Sequence, residues 1–235
     1  VLEIWVLALA LLDRVRALRE QKEEAVASAN RYLRQLTDEL ERRVVDRTRA
    51  LQDTNARLAD LARRDSLTGL LNHRAVIDQL DLLLAAGDGP LTAIMVDMDH
   101  FKQINDRFGH LAGDRVLEAV AQALSRHVRP DDVCGRYGGE EFLIGLRGVD
   151  ETTARDRAEM IHQAIRHLSV DGLPGHPLSA SLGVAVARLD GADTAESVIS
   201  RADGALYRAK ALGRSQVVMA ALPEPAPSFG TRLVR

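Results

Sequence analysis

The sequence predicts an α+β fold: a central, mostly antiparallel sheet covered by helices and preceded by a long coiled-coil helix. Three observations carry this. From Asp13 to about Arg63 there is no glycine or proline, and apolar residues return at steps of threes and fours. From Ala75 onward the runs follow the order helix, strand, helix, hairpin, helix, strand, helix, strand. Within that order Gly138-Gly139 lies between two short apolar runs, which predicts a tight hairpin and hence antiparallel neighbours.

Composition sets outer bounds. The chain has 235 residues, enough for one or two domains. It is 46% hydrophobic but only 3% aromatic, so the core is expected to be Leu, Val, Ala and Ile. A net charge of −3 gives no global sign of a nucleic-acid binder. The single cysteine, Cys134, excludes an internal disulfide and reads as a small buried strand residue. No Cys/His cluster has zinc spacing.

In chain order, residues 1–12 are apolar apart from Glu3, and Arg14, Arg16, Arg19 and Lys22 follow. This segment is too short to span a bilayer, which takes about 20 residues. An apolar helix ending in basic residues is nonetheless expected at the cytoplasmic end of a transmembrane helix, here truncated. A buried helix or the first turns of the coiled coil are the alternatives. Residues 13–63 form the expected coiled coil, with a seam at Leu33, Leu36, Leu40, Val44, Leu51, Leu58 and Leu61. The steps around Leu40 and Val44 read as a stutter, and Asn55 falls on the seam, where it can fix register. A parallel dimer is expected, with a single helix packed on its own domain as the alternative.

The catalytic part is expected over residues 64–220. Gly69 ends the helical pattern, and Ala75–Ala86 reads as a helix stopped by Gly87-Asp88-Gly89-Pro90. Leu91–Val96 reads as a buried strand running into Asp97-Met98-Asp99. Magnesium takes hard oxygen ligands, one or two carboxylates with substrate phosphates. Asp97 and a hairpin acid could supply them if their strands are neighbours. The alternative is a carboxylate capping the next helix, which suits Asp99. Phe101–Val128 reads as helical, interrupted at Gly109-His110 and Gly113, with Phe101, Ile104 and Phe108 as core. Taken alone, Asn105 and Asp114 read as solvated helix residues.

The Gly138-Gly139 turn is expected to need positive φ and to leave the backbone open to a phosphate or base. Glu140 and Glu141 are adjacent, so in a regular strand they face opposite ways. Both can serve one site only if the turn aims one of them; the alternative is a surface hairpin with solvated acids. Thr153–Leu168 reads as a helix, Leu173–Pro177 as a turn, Leu178–Val186 as a strand with small residues for close packing, and Ala195–Leu212 as the last helix. Gly213 reads as its stop with φ > 0. Lys210 and Arg214 lie four apart, and could equally compensate the helix dipole. Gln216–Ala220 reads as a final strand, and residues 221–235 as a disordered tail rich in proline.

These residues resemble the signature of the GGDEF domains, the diguanylate cyclases, in its Gly-Gly-Glu-Glu-Phe form. The resemblance spans roughly Arg64 to Ala220. It rests on Asp65-x-Leu67-Thr68-Gly69-Leu70-x-Asn72, the Asp97 run, Arg129-x-x-Asp132, Arg136 to Phe142, and Ser181-Leu182-Gly183-Val184-Ala185. His73, Leu182 and Ser215 stand where the family commonly has Arg, Ile and Asn.

The resemblance implies a palm-like, ferredoxin-type core. It implies condensation of two GTP to cyclic di-GMP and pyrophosphate by a homodimer, with two Mg²⁺ or Mn²⁺ ions per site. Metals would fall to Asp97, the Met98 carbonyl, Glu140 and Glu141, with Glu140 as proton acceptor. Asn105 and Asp114 would read guanine, whose N1–H and N2–H₂ donors suit a carboxylate. Phe101, Lys102, Gly138, Gly139, Lys210 and Arg214 would line the phosphates. Arg129, Asp132 and Arg136 would form an inhibitory product site. An upstream sensor or membrane segment is expected, with the catalytic part cytoplasmic and the full protein anchored in the inner membrane. Other readings are an inactive receptor for GTP or cyclic di-GMP, a dimeric scaffold, or a cyclase acting within one nucleotide.

Overall fold

The computed structural model describes residues 2–87, 89–173, 175–187 and 193–221, without the side chains of 2–11, 53, 55–59 and 61. The expectations for the apolar side chains of 1–11, for Asn55, Leu58 and Leu61 on the seam and for the tail beyond residue 221 lie outside the described residues. The chain divides into two compact units, residues 1–61 and 62–235.

The first unit is helical over all its described residues. It makes up most of α1 (Leu2–Arg63), which begins well before Asp13. Leu33, Leu36, Leu40, Val44 and Leu51 are all exposed along it. The salt bridge Arg43–Glu39 at 2.6 Å joins neighbouring turns. No described helix is long and apolar enough to cross a membrane, so the expectation of a membrane segment gains no support from it.

The second unit is built on one sheet. Its strands are β1 (Leu91–Met98), β2 (Val133–Gly138), β3 (Glu141–Arg147), β4 (Ala180–Val186) and β5 (Val217–Met219), in the order β2-β3-β1-β4-β5. All described pairings are antiparallel except β4 with β5. The helices are α2 (His73–Ala86), α3 (Phe101–Phe108), α4 (His110–His127), α5 (Glu151–Arg166) and α6 (Ala195–Ala211). This is the expected α+β architecture.

Alternation along β1 explains the two layers. Ile94 and Val96 face a cluster with Val116, Leu117 and Val120 of α4 and Ile161 and Ile165 of α5. Ala93 and Met95 face the other way, onto Val76 and Leu80 of α2 and Val198, Ala202 and Leu206 of α6. Phe101 and Ile104 are buried, as expected of core residues. Cys134 is a buried strand residue, and burial pushes its thiol up to about 12.

Helix starts follow local chemistry. Asn72 caps α2 by accepting from the Ala75 N–H, Asp150 caps α5 through Thr153, and Thr194 and Ser197 form a reciprocal capping box on α6.

α1 ends at Arg63, where the coiled-coil helix was expected to end, and Gly69 lies beyond it with φ +70 in a turn closed by Asp65. Other boundaries differ from the sequence reading. The break between α3 and α4 is Gly109, at φ +85, whereas Gly113 lies inside α4. Asp99 is not a helix cap: His100, at φ +57, precedes α3 and makes no side-chain cap.

Candidate active site

The C-terminal end of β1 and the β2–β3 turn come together because β1 and β3 are neighbours. Asp97 stands opposite Glu141 in their register, and the Met98 N–H donates to the Glu140 carbonyl at 3.3 Å. Asp97 is therefore inside the strand, not beyond it, with Ser181 opposite on β4. The turn places Glu140 before the strand and Glu141 as its first residue, so both acids lie near Asp97.

The two glycines do not serve the turn through positive φ, which is found elsewhere but at neither Gly138 nor Gly139. A register shift between Arg136 and Gly138 bends the hairpin instead. A Cβ at Gly138 would lie 2.7 Å from Glu141 Oε2, so a side chain there would turn the Glu141 carboxylate away from its present position. At Gly139 a Cβ would meet nothing within 4 Å, so the backbone is open to solvent.

Electrostatics mark this corner. Burial pushes the Asp97 carboxyl up; Lys210 pulls it down, and Glu140 and Asp99 push it up further. Glu141 is likewise raised, by burial first and then by Asp97. The Lys210 ammonium, projecting from α6, donates to Asp97 Oδ2 at 2.7 Å. Asp97 and Glu141 thus remain raised despite the Lys210 ammonium, a site that favours further positive charge. Among the described residues no group of three or more acidic, His or Cys side chains is gathered closely enough to hold a metal by itself. The donors present, carboxylate and carbonyl oxygens, fit Mg²⁺ or Mn²⁺ bound jointly with substrate phosphates.

Lys102 and Arg214 are exposed, while Asn105 on α3 and Asp114 on α4 are half-buried. Gly113 keeps Asn105 in place, because a Cβ there would sit 2.0 Å from Asn105 Oδ1 and 3.1 Å from Phe101 Cζ. Gly113→Ala is therefore expected to displace the Asn105 side chain. Folding stability should fall slightly, since crowding of the buried Phe101 ring costs roughly 1–3 kcal/mol and the helix preference of Ala over Gly returns only about 1 kcal/mol. If Asn105 reads guanine, as the resemblance implies, steady-state kinetics should show KM for a guanine nucleotide rising about tenfold, the size of one lost buried hydrogen bond.

Arg129, Asp132 and Arg136 do not converge. Asp132 is buried and accepts from the Arg129 N–H at 2.8 Å, the Arg147 N–H at 3.2 Å and the Arg157 guanidinium at 3.2 Å. Arg136 turns to the hairpin and donates to the Gly139 carbonyl at 3.0 and 2.8 Å and to Asp65 at 3.2 Å. Burial pushes the Asp65 carboxyl up, but bonds from Thr68 and the Arg136 charge outweigh this and leave it below the usual range. Asp65, Asp99 and Arg157 were not singled out as site residues from the sequence. Only Asp65 carried a signal, as part of the Asp-x-Leu-Thr-Gly motif.

The family described as "Diguanylate cyclase, GGDEF domain" matches residues 62–216. The chain belongs to the GGDEF family. Among relatives, it is 40% identical over 172 residues to the diguanylate cyclase VdcA of Vibrio cholerae, covering 72% of this chain and 50% of that one. It is 41% identical over 170 residues to the response regulator PleD of Caulobacter vibrioides, covering 68% and 36%. The chain thus spans half or less of the length of these relatives. In structure, the GGDEF chain resembles the coiled coil and GGDEF domain of DgcB from Caulobacter crescentus in complex with c-di-GMP. The TM-score is 0.68 and the identity 29%, covering 77% of this chain and 99% of that one.

Proposed function

We propose that the chain is a diguanylate cyclase that condenses two GTP into cyclic di-GMP. The observation that carries the reading is the acid corner, where Asp97 faces Glu141 across β1 and β3 with Glu140 in the adjoining turn. The names of its relatives support it.

In each half-reaction the 3′-oxygen of one GTP bonds to the α-phosphorus of the other, and the bond to the β-phosphate oxygen breaks, releasing pyrophosphate. Asp97, the Met98 carbonyl, Glu140 and Glu141 would hold two Mg²⁺ or Mn²⁺ ions, which neutralise triphosphate charge and acidify the ribose hydroxyl. Glu140 accepts the 3′-OH proton, directly or through one water. Asn105 and Asp114 hold the guanine edge. Phe101, Gly138 and Gly139 lie along the phosphates, and Lys102, Lys210 and Arg214 offset charge on the leaving pyrophosphate. Lys210 would exchange part of its contact with Asp97 for phosphate oxygens.

Two GTP-loaded sites must face each other, so the active species is read as a homodimer. The exposed leucines of α1 support a parallel coiled coil, because a single helix leaves that stripe in water. Product inhibition at Arg129 and Asp132 belongs to the same reading. There the exposed Arg129 would take product phosphate, and Arg136 would link that site to the catalytic turn. GTP as substrate places the reaction in the cytoplasm.

The test is incubation with GTP and Mg²⁺, with cyclic di-GMP read by chromatography, beside Glu140→Ala and Arg129→Ala. Product from the parent and none from Glu140→Ala is expected, with Arg129→Ala relieving inhibition by added product. Silence from both the parent and Arg129→Ala would sink the cyclase reading and leave an inactive nucleotide receptor.

A further inference from the structure

Among the described residues, the non-glycine positions with positive φ are His100, Arg214 and Ser215. All lie around one side chain, Asp99. His100 follows it directly in sequence, and the Ser215 N–H donates to Asp99 Oδ2 at 3.0 Å. With Gly213 at φ +114, Arg214 at +66 and Ser215 at +45, the turn after α6 is left-handed for consecutive residues. Such backbone is unfavourable for side-chain-bearing residues and persists only where surroundings hold it.

Asp99 is well placed to hold it. It is 6% exposed. Besides Ser215 it accepts from the Ser179 hydroxyl at 3.0 Å and the Ser181 hydroxyl at 2.7 Å, and its own N–H donates to the Ser179 carbonyl at 2.9 Å. It is thus tied to β4 and its approach, and ties the turn to them in its own right. A second support comes from α5. His162, 4% exposed, has Nε2 at 3.3 Å from the Ser215 hydroxyl. Its Nδ1 makes no hydrogen bond and lies 3.7 Å from Glu159 Oε2. Among the described residues the imidazole has Ser215 as its one hydrogen-bonding contact, which is a reason for a buried histidine to sit there.

We infer that Asp99, backed by His162, is a positioning residue that holds the left-handed Gly213–Ser215 turn and thereby aims Arg214 at the substrate phosphates. The inference rests on the reading of Arg214 as a phosphate-binding residue. Asp99 and His162 touch no substrate; they act through the backbone of the turn. The site has an unusual division of labour for two acids one residue apart. Asp97 faces the Lys210 ammonium and the reacting corner, and Asp99 faces hydroxyls and an amide.

The experiment is steady-state kinetics with Mg-GTP on the full chain, with melting temperature as the folding control. Asp99→Ala removes the acceptor. Ser215→Val keeps Asp99 in place, but a β-branched residue does not hold φ +45 cheaply. Both are expected to raise KM and to lower kcat/KM at least tenfold, because Arg214 binds the phosphates and offsets charge on the leaving pyrophosphate. Asp99→Asn, which keeps one oxygen for the Ser215 N–H, is expected to restore most of the affinity. Arg214→Ala should raise KM by itself, and adding Ser215→Val to it should change nothing further.

A well-folded Ser215→Val with parental KM would overturn the inference, as would additive effects in the double variant. An Arg214→Ala with parental KM would overturn the phosphate reading itself, and the inference with it. Should Asp99→Ala fail to fold, Ser215→Val and the double variant decide the matter.

Discussion

Asp97→Asn is expected to lower cyclic di-GMP formation at least 100-fold while leaving the melting temperature within a few degrees of the parent. The substitution keeps the shape of the side chain in β1 and its strand pairing, which uses only backbone. It removes the charge that Lys210 meets at 2.7 Å and that a divalent ion would share. Loss of a preorganised electrostatic group in a catalytic site commonly costs a factor of about 10² to 10³. Stability should move little, because the native site raises this carboxyl through burial and through Glu140 and Asp99. Neutralising a charge that its surroundings disfavour relieves repulsion even as Lys210 loses its partner. The measurement is initial rate by chromatography beside a thermal melt. A rate within tenfold of the parent would show that Asp97 is only a structural strand residue.

Gly183→Ala should do the reverse, and its first effect is on folding. Gly183 sits opposite Met95 in the sheet, beneath α6. A Cβ there would lie 2.1 Å from the Ala202 carbonyl oxygen and 2.2 Å from the Leu206 nitrogen. Both are backbone atoms of one helix, so no rotamer change relieves the clash and the helix as a whole must lift. Overpacking of this kind costs roughly 1–3 kcal/mol, and a rigid backbone contact belongs at the upper end. About 3 kcal/mol corresponds to a fall of roughly 6–12 °C in melting temperature for a domain of this size. Activity should fall as well, since Lys210 rides on the same helix. A melting temperature within 2 °C of the parent would mean that α6 can shift at little cost.

Much of the fold was legible because its causes are local. Gly138-Gly139 announces the hairpin, and the last helix was read from Ala195, where it starts; α2 and α5 were read two residues late because their caps, Asn72 and Asp150, were not read. Of the two reasons given for those glycines, positive φ was wrong and the open backbone is seen at Gly139, while a side chain at Gly138 would displace the Glu141 carboxylate. That depends on where Glu141 turns, which no local pattern states. The strand containing Asp97 was read two residues short, because an aspartate ordinarily ends a buried run. Here pairing with both β3 and β4 carries it on. Asp99 was read as a helix cap for the same reason. Its partners Ser179, Ser181 and Ser215 lie 80, 82 and 116 residues further along. Arg136 was assigned outward, to product, while its partner Asp65 is 71 residues away. Residue types at the site were visible; the directions their side chains take were set by distant segments.

The short stretch between α1 and α2 has a practical bearing on how the catalytic unit can be cut from its helix. Leu71 forms a bridge with Gly135, its N–H donating to the Cys134 carbonyl at 3.3 Å and its carbonyl accepting from the Arg136 N–H at 2.8 Å. That single residue occupies the outer rim of β2, which is otherwise the edge of the sheet. An uncovered edge strand is a template for pairing with another chain and for aggregation. A soluble fragment of the domain therefore has to begin upstream of Leu71. Starting at Arg64 also keeps the bridge between Arg64 and Leu71, which fixes the sealing residue from behind.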